Sequence, residues 1–410
     1  AGTGLQGSII SLRAGLEGFS EVMIGLIMSA NYAGLVLGPL IAPPLIRNVG
    51  YVRTFAAFAS IGSAAAISHV LWINPVIWAL LRLVTGVCLS VMLVVMEGWL
   101  NSSATSANRG RVLSTYSVVY LGAMGAGQPL LGLLSPATFE IFAVTTILIS
   151  LCLVPVALMN VTGQPQVQRQ PIRVFYTFRK SPLAGFGTVI SGAVTGATWG
   201  LTPRWAQSAG LTEGQIGLLM LLISAGTLAV QLPLGWLSDR TGRRRAIFWS
   251  TGIAAILASL LAIQPSGSGA ISLLIFLFGG FGMPLYSLSI ALANDQLTWD
   301  EIVPAAGALI VMYGIGSAAG PALGGLAIQR FGPGGLFGFI AVALVLVAVF
   351  ALIRLVVQPA IAKLDRVAYR PYPRTTAVAY QLLRRPRRKP KRDRNGAPHR
   401  KAGSGAQSTE

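Results

Sequence analysis

The chain alternates between long apolar runs and short polar segments. A helix that crosses a membrane needs about 20 mostly apolar residues, and eleven runs are close to or above that length. The runs lie at residues 22–45, 54–73, 76–100, 112–134, 141–160, 183–202, 215–236, 246–264, 270–293, 305–328 and 335–357. Proline and glycine inside them do not break the pattern, because neighbouring helices can satisfy the freed backbone groups. The pattern predicts an all-α, polytopic membrane helix bundle.

Residues 1–20 hold only a short apolar stretch, which Arg13 and Glu17 follow. We interpret it as the outer end of one more helix, because it is too short to cross about 30 Å of hydrocarbon at 1.5 Å per residue. The chain begins at Ala1, and we expect a truncated first helix, with roughly ten to twenty more apolar residues encoded upstream. Residues 1–12 should then form a helical stub that reaches part of the way across the bilayer.

The composition excludes an ordinary soluble enzyme. Hydrophobic residues fill 53% of the 410 positions and charged residues only 10%, with a mean hydropathy of +0.67, whereas soluble domains carry about 25% charged residues. Both cysteines lie in apolar runs, where they suit a core better than a disulfide or a metal site. The sequence has no phosphate-binding loop, zinc-protease motif or Cys/His cluster. We therefore expect a protein that is not an enzyme and that uses no cofactor and no metal.

Charge in the loops predicts how the bundle is oriented. One alternate set of loops contains 12 Arg or Lys residues and the opposite set contains 3. The first set is Arg47, Arg53, Arg109, Arg111, Arg169, Arg173, Arg179, Lys180, Arg240, Arg243, Arg244 and Arg245, and the second is Arg13, Arg204 and Arg330. Because loops rich in Lys and Arg stay in the cytoplasm, we expect the first set and the C-terminus on the cytoplasmic side.

A polar and basic segment at residues 161–182 divides the chain into two halves that resemble each other. Residues 1–160 and 183–357 each correspond to six helices, the first of them partial. Residues such as Gly86 and Gly279 recur at an offset of 193. Parallel six-helix repeats joined by a cytoplasmic loop are a known transporter architecture, so the sequence predicts two pseudo-symmetric halves.

The C-terminal residues 358–410 carry most of the excess charge. They hold 14 Lys or Arg and 3 acidic residues, and so contribute +11 of the total net charge of +19. A run of like charges with this composition is expected to be disordered. The anionic inner leaflet of the membrane would attract it, and we expect anionic lipid rather than nucleic acid as its partner.

The loop that follows the 215–236 run carries the most specific motif. It reads Gly235-Trp-Leu-Ser-Asp239-Arg240-Thr-Gly242-Arg243-Arg244-Arg245. It resembles the G-x-L-x-D-R-x-G-R-[RK] loop of the major facilitator superfamily, and the resemblance extends over residues 20–357. The residues that resemble the YcaD-like branch of that superfamily are Asn108-Arg109-Gly110-Arg111, Tyr116, Tyr120 and Gly226. The resemblance implies a bacterial inner-membrane permease with two rocking six-helix halves and an unassigned small-molecule substrate.

Asp239 has two possible roles. At a membrane boundary its carboxylate can pair with a cation or a helix N-terminus, and so latch one half against the other in one conformation. The proposed latch comprises Gly235, Asp239, Arg240, Gly242 and Arg243. The alternative is a loop that its arginines simply anchor in the cytoplasm. Pro43 and Arg47 replace the glycine and the aspartate in the first-half copy, so a latch would depend on Asp239 alone.

Arg82 lies inside the 76–100 run, where a charged side chain is costly unless it faces a partner or a water-filled cavity. The segment Arg82-Leu-Val-Thr-Gly86 resembles the R-x-x-x-G motif of the superfamily. The alternative is a side chain that extends to the outer surface. Glu97 is the only acid in the same run, and it could be a gate residue, a proton site together with Asp295, or a cap at the membrane boundary.

Other polar and aromatic residues interrupt the runs and are candidates for a substrate cavity. They are Asn31, Tyr116, Tyr120, Gln128, Trp199, Tyr286, Asn294, Asp295 and Tyr313. Interhelical hydrogen bonding would explain each of them equally well. The sequence predicts secondary active transport by alternating access, coupled to an ion gradient, with protons as one candidate ion. The alternative is a transporter-like sensor or scaffold, which need not keep a solvated polar cavity between the halves.

The loop charges lead to a test of orientation. Cysteines introduced by Thr162→Cys and Ser404→Cys should resist an impermeant thiol reagent in intact cells, because both positions are expected in the cytoplasm. The measurement compares labelling in intact and lysed cells. Labelling of either cysteine in intact cells would contradict the predicted orientation.

Overall fold

The computed structural model describes residues 1–103, 108–158, 173–263, 270–298 and 301–357, and the regular structure in these ranges is helical. The helices before the central segment are α1 (Gly2–Leu16), α2 (Glu21–Val49), α3 (Tyr51–Leu71), α4 (Pro75–Ser103), α5 (Arg109–Ala126), α6 (Phe139–Leu151) and α7 (Leu153–Ala157). Those after it are α8 (Val174–Lys180), α9 (Pro182–Ser208), α10 (Glu213–Thr241), α11 (Arg243–Ile263), α12 (Ala270–Gly282), α13 (Leu285–Gln296), α14 (Ile302–Phe331) and α15 (Gly335–Val357). Much of the expected 161–182 loop and the whole 358–410 tail lie outside the described residues.

Two pairs of helices recur along the chain. Helices α2 and α10 each have 29 residues, and α3 and α11 each have 21. Within each pair the starting residues are 192 positions apart. Both 29-residue helices end at a glycine with positive φ, Gly50 at 84° and Gly242 at 104°, a conformation that a residue with a Cβ rarely adopts. This correspondence supports the predicted repeat. Below, "first half" means α1–α7 and "second half" means α9–α15.

Nine of the described helical segments are long and apolar enough to cross a membrane. The expected spans at 183–202 and 112–134 are not among those nine. The first corresponds to α9, whose 27 residues form a long helix, but whose buried face is rich in Gly, Ser and Thr. The second is not one continuous helix, which the pattern of apolar residues did not reveal.

Two expected spans are interrupted at prolines. Helix α5 ends at Ala126, and a 3₁₀-helix follows at Gln128–Gly132, with Pro129 near its start. The run at 270–293 divides into α12 and α13, with Pro284 at the N-cap of α13. Proline lacks the N–H that an α-helix needs and its ring clashes with the preceding turn. The length of an apolar run gives the extent of a membrane segment correctly, but it does not show where a proline interrupts the helix.

The helix at the N-terminus is longer than expected. We expected a stub over residues 1–12 with Arg13 after it, but α1 continues to Leu16 and has Arg13 in its last turn. There Arg13 forms an ion pair with Glu17, with 2.6 Å between Nη2 and Oε1, and a cation near a helix C-terminus is favourable. The 15 residues of α1 extend about 22 Å at 1.5 Å per residue, less than the hydrocarbon thickness.

Bulky apolar side chains occur both inside the bundle and on its outer surface. Trp78, Phe278 and Phe337 are fully buried, and the rings of Trp205 and Phe337 meet edge to face with 4.7 Å between centroids. On the outside, side chains such as Val356 are as much as 80% exposed. Such exposure is unfavourable in water but not in hydrocarbon, so this surface suits contact with lipid.

The two halves meet where α2 passes α14. A Cβ at Gly25 would collide with the carbonyl oxygen of Pro321, and a Cβ at Gly325 would collide with that of Glu21. Glycine therefore permits a backbone approach that no other residue allows here. Small residues at helix crossings are typical of membrane bundles, where van der Waals contact replaces the hydrophobic effect as the force between helices.

Polar contacts join the halves at the same end of the bundle. Arg204 Nη2 of α9 lies 2.7 Å from Glu21 Oε1 of α2, and Ser135 Oγ donates a hydrogen bond of 2.9 Å to Glu213 Oε1 of α10. All four residues are near the α1–α2 and α9–α10 connections or the turn before α6. We term this end of the bundle the closed end.

The short helix α8 is attached at the opposite end, where α14 begins. Lys180 Nζ lies 3.3 Å from Glu301 Oε1, and the Tyr176 hydroxyl donates to the same carboxylate. The backbone N–H of Thr298 donates a third hydrogen bond to Glu301, at 2.8 Å. The hydrogen bonds from Tyr176, Thr298 and Lys180 lower the pKa of Glu301 to about 2, so the carboxylate is charged at neutral pH.

The glycine contact generates a test by a matched pair of variants. Gly325→Val should destabilise the fold by about 1–3 kcal/mol, because the added side chain must displace the α2 backbone. Gly338→Val is the control, since a Cβ at Gly338 meets open space. Thermal unfolding of both variants in the same detergent measures the difference. Equal unfolding temperatures for the two variants would show that the halves are not in tight contact at Gly325.

Candidate functional site

A cavity of about 230 Å³ lies between the two halves. In the first half, residues of α1, α2, α4 and α5 line it, and in the second half residues of α9 and α14. The predicted site residues that it brings together are Asn31, Arg82, Tyr120, Trp199 and Tyr313. These five residues come from five different helices, so the cavity depends on how both halves fold and meet.

The cavity begins next to the closed end and extends away from it. Along α2 its lining runs from Met28, which is 1% exposed, to Leu40, which is 62% exposed. Along α14 the lining runs from Ser317 back to Gly307, toward the start of that helix. The cavity therefore approaches the surface on the side of the α2–α3 connection, which we term the open end.

Arg82 lies in the cavity wall on α4. Its side chain is 4% exposed, and its Nε is buried without a hydrogen-bond partner. Helix α4 comes close to α2 here, since a Cβ at Gly86 would collide with the carbonyl oxygen of Asn31. The R-x-x-x-G spacing thus has a physical basis: the glycine brings the helices together one turn from Arg82, beside the cavity.

Aromatic rings form much of the remaining wall. Trp199 of α9, Tyr120 of α5 and Tyr313 of α14 line the cavity from three sides, together with Tyr32 of α2. Behind Tyr313 lies Tyr286 of α13, which is 1% exposed and has its ring centroid 4.7 Å from that of Tyr313. Tyr286 therefore supports the position of a wall residue and does not itself line the cavity.

Six predicted site residues lie elsewhere in the described structure. They are Glu97, Tyr116, Gln128, Tyr286, Asn294 and Asp295. Gln128 is fully buried, and its Oε1 accepts a hydrogen bond of 2.8 Å from Ser8 Oγ of α1. Gln128 thereby joins α1 to the 3₁₀-helix after α5. For this residue the structure shows interhelical hydrogen bonding, which the sequence analysis gave as the alternative to a place in the cavity.

Glu97 is fully buried on α4, toward the open end. It lies 15 residues after Arg82, which is about 22 Å along the helix, so the two side chains are in different regions of the bundle. The Tyr51 hydroxyl is close to this turn, because a Cβ at Gly98 would lie 2.9 Å from it. Tyr116 contacts Tyr120, with 6.2 Å between ring centroids, and lies one turn nearer the open end.

The motif expected as a loop is helical except at Gly242, which alone separates α10 from α11, and it holds a buried ion-pair network at the open end. Arg243 Nη1 lies 2.5 Å from Asp239 Oδ1, and Arg243 Nε lies 3.3 Å from Asp295 Oδ2 of α13. Arg243 Nη1 also donates a hydrogen bond of 2.5 Å to Ser238 Oγ. The side chains of Arg243 and Asp295 are each 1% exposed. One guanidinium thus connects α10, α11 and α13, and Asn294, 7% exposed, is adjacent.

The remaining residues of the proposed latch have visible structural roles. Arg240 stacks over the Trp236 ring, with 3.5 Å from its Cζ to the ring centroid, and Gly242 separates α10 from α11 at its positive φ. Gly235 is buried in α10. The ion pairs described at Asp239 and Asp295 join helices of the second half.

Several cavity residues were not among the predicted site residues. Thr3, Gly4 and Gly7 of α1, Met28 of α2 and Met124 of α5 all line the cavity. None of these residue types stands out in an apolar run, because Gly, Thr and Met are also common in packed membrane helices. The regular spacing of Gly4 and Gly7 on the short α1 is the only signal that the sequence offered.

The family comparison covers nearly the whole chain. The model of the Major Facilitator Superfamily matches residues 1–184 and 184–390. An uncharacterized MFS-type transporter of Yersinia pestis (strain Pestoides F) is 28% identical over 320 residues, covering 78% of this chain and 83% of its own length. The uncharacterized MFS-type transporter YcaD of Escherichia fergusonii is 29% identical over 325 residues, with coverage of 78% and 83%.

Solved structures with the same fold include the nucleoside transporter NupG. A point mutant of NupG superposes with a TM-score of 0.73 at 12% identity, covering 85% of this chain and 95% of that one. A second structure of NupG gives a TM-score of 0.71 at 14% identity, with coverage of 87% and 98%. At such identities the likeness concerns the fold. The family match establishes that the chain belongs to the Major Facilitator Superfamily of membrane transporters.

Proposed function

We propose that this protein is a secondary active transporter that moves a small molecule by alternating access. The observation that carries the proposal is the cavity between the halves, whose lining runs from buried residues beside the closed end to exposed residues such as Leu40 toward the open end. A cavity at the interface of two six-helix repeats is where this architecture binds its substrates. Rocking of the halves would close the open end, separate the closed end and so expose the same cavity to the other side.

The contacts at the closed end are of a kind that can separate. The Arg204–Glu21 ion pair is only partly buried, with 21% and 18% of the two side chains exposed, and such pairs contribute about 0–1 kcal/mol. The glycine contacts at Gly25 and Gly325 involve backbone surfaces that fit closely without interlocking side chains. A ligand that favoured the other conformation would need only a modest difference in affinity to shift the equilibrium.

In our proposal the open end faces the cytoplasm of a bacterial inner membrane. Among the described residues, Arg47, Arg53, Arg240 and Arg245 lie in the helix turns next to the α2–α3 and α10–α11 connections at that end. This placement agrees with the distribution of positive charge in membrane proteins. The basic tail, residues 358–410, would follow α15 into the same compartment and contact anionic lipid.

We further propose that the Arg243 network controls the movement. It clamps α10, α11 and α13 into one unit at the open end, so that the second half moves as a body. Coupling to an ion gradient would use buried carboxylates near this end, and for protons Glu97 and Asp295 are the groups to test. Both are almost fully buried, where gain or loss of a charge has a large energetic effect.

The alternative, a sensor or scaffold with this fold, predicts a fixed cavity. Two pairs of spin labels distinguish the proposals in a background of Cys88→Ala and Cys152→Ala. Ala137→Cys with Ser208→Cys reports on the closed end, and Asn48→Cys with Arg245→Cys reports on the open end; all four positions lie at or near the surface. Distance distributions are measured by pulsed electron paramagnetic resonance in lipid nanodiscs.

Alternating access predicts two populations at each pair, changing in opposite directions with lipid, pH or ligand. One population should have the 137–208 distance short and the 48–245 distance long, as in this structure, and the other the reverse. A scaffold should give one fixed distance at each pair. Single, unchanging distributions at both pairs under all these conditions would contradict the proposed function.

The Arg243 network leads to a prediction for three variants. Arg243→Gln should cost about 3–5 kcal/mol of stability, because it removes the Arg243 ion pair from the buried Asp295 carboxylate. Asp239→Asn should change the balance of the two populations while protein yield stays near normal, since Asp239 is 32% exposed. Arg245→Gln is the control, because Arg245 is exposed in the first turn of α11. Both variants are compared at the 137–208 label pair, which does not use residue 245. Populations in Asp239→Asn equal to those of the control would exclude a latch.

A further inference from the structure

The cavity carries a single formal charge, and it is positive. Of the residues that line it, Arg82 is the charged one, and the lining includes no Asp or Glu. The Arg82 side chain is 4% exposed, so bulk water does little to screen its charge. A ligand in the cavity would therefore meet a strong positive potential at one point of the wall.

The protein itself does not neutralise this charge. Among the described residues no carboxylate forms an ion pair with Arg82, and its Nε has no hydrogen-bond partner. Tyr32 of α2, a residue with a neutral phenol, lines the same cavity as Arg82. Arginine has five N–H donors and no acceptor, and at least the Nε donor remains available.

The described residues behind Arg82 include no counter-ion. His69 of α3 lies on that side: its Nδ1 is 2.8 Å from the Ala65 carbonyl oxygen, and its ring meets Trp78 with 5.7 Å between centroids. Nδ1–H donates to that carbonyl, and neither the carbonyl nor the Trp78 ring carries a negative charge that could balance Arg82. Glu97 is about 22 Å away along α4, and so cannot balance the charge locally.

The rest of the wall suits a flat, apolar body. Trp199, Tyr120 and Tyr313 contribute aromatic rings to the lining, and Met28 and Met124 contribute polarisable, flexible side chains. Aromatic and methionine side chains contact apolar and aromatic ligands favourably. A sugar or another polyhydroxyl ligand would need many convergent polar groups, whereas this wall is largely apolar apart from Arg82 and a few hydroxyl and amide groups.

We propose that the substrate is a monovalent organic anion, with a carboxylate bound by Arg82 and an apolar or aromatic body against Trp199, Tyr120 and Tyr313. The inference rests on the proposed transport function and names the class of molecule transported. A planar guanidinium matches a carboxylate with two parallel hydrogen bonds. One arginine balances one negative charge, so a phosphate ester or dicarboxylate would retain uncompensated charge, and a cation would be repelled.

A matched set of probes tests the charge requirement on the unmodified protein. The set is 3-phenylpropionate, its neutral amide and 3-phenylpropylamine, which share a phenyl ring and a short chain but differ in charge. Binding to the protein in nanodiscs at neutral pH is measured by calorimetry, with benzoate and octanoate as two further carboxylates. We expect at least one carboxylate of this panel to bind about tenfold more tightly than the amide, or tighter still. We expect the amine to show no binding.

Variants then assign the preference to Arg82. Arg82→Gln should weaken carboxylate binding by about tenfold or more and remove the difference between carboxylate and amide. Arg82→Lys should recover only part of the carboxylate binding, because an ammonium group cannot form the paired hydrogen bonds. Arg330→Gln, an exposed arginine at the end of α14, is the control and should bind as the parent does.

The outcomes separate this inference from the proposed function. Equal binding of the amide or the amine, unchanged carboxylate binding in Arg82→Gln, or no binding by any carboxylate of the panel would overturn the inference. If the spin-label pairs nevertheless show two exchanging populations, transport stands and only the substrate class is wrong. The probe comparison needs no variant, so it remains decisive even if Arg82→Gln is not produced in folded form.

Discussion

The backbone contact between α2 and α14 is the constraint on which the rest of this structure depends. In lipid there is no hydrophobic force to hold the two halves together, so close van der Waals approach must do it. Gly25 and Gly325 allow that approach at the closed end, where any Cβ would collide with a backbone carbonyl. Because this backbone contact lies near one end of the two helices, the other end can diverge, and the cavity is the space that results.

That space explains how a charged side chain is tolerated at depth. A buried arginine is costly in a bilayer unless it faces a cavity or a partner, and Arg82 lies in the cavity wall. The second buried arginine, Arg243, is stabilised differently, by two carboxylates and a serine hydroxyl. One cation is thus saturated by the protein and has a structural role, whereas the other keeps capacity for a ligand.

Much of the fold could be predicted from the sequence because membrane helices are defined by length and hydropathy. Most expected spans are present, and the starts of α2 and α10 are 192 residues apart, within one position of the offset of 193 that recurs in the sequence. The breaks at Pro129 and Pro284 were not predicted, since proline in a membrane helix sometimes kinks it and sometimes ends it. Which of these happens depends on neighbouring helices, and a single run of residues does not contain that information.

The site was predicted in part, for a related reason. Arg82, Asn31, Tyr120, Trp199 and Tyr313 are polar or aromatic residues within apolar runs, and all five line the cavity. Gln128 and Tyr286 have the same appearance in the sequence but face other helices. The direction in which a residue points is set by the rotation of its helix, and that rotation is fixed by packing between helices far apart in the chain.

A disulfide across the closed end tests the central claim most directly. A Cβ at Gly132 would lie 3.1 Å from the Cα of Gly214, and a Cβ at Gly214 would lie 3.5 Å from the Cα of Gly132. Gly132→Cys and Gly214→Cys therefore place two thiols within reach of a disulfide across the closed end. A third cysteine, introduced by Asn31→Cys, reports on the accessibility of the cavity. All three cysteines are placed in the Cys88→Ala, Cys152→Ala background. An impermeant thiol reagent is then applied to right-side-out and to inside-out vesicles. The account predicts that Asn31→Cys reacts from both sides in reduced protein, and only from the open-end side once the disulfide has formed. Reaction from both sides after oxidation, or from one side only before it, would contradict the account.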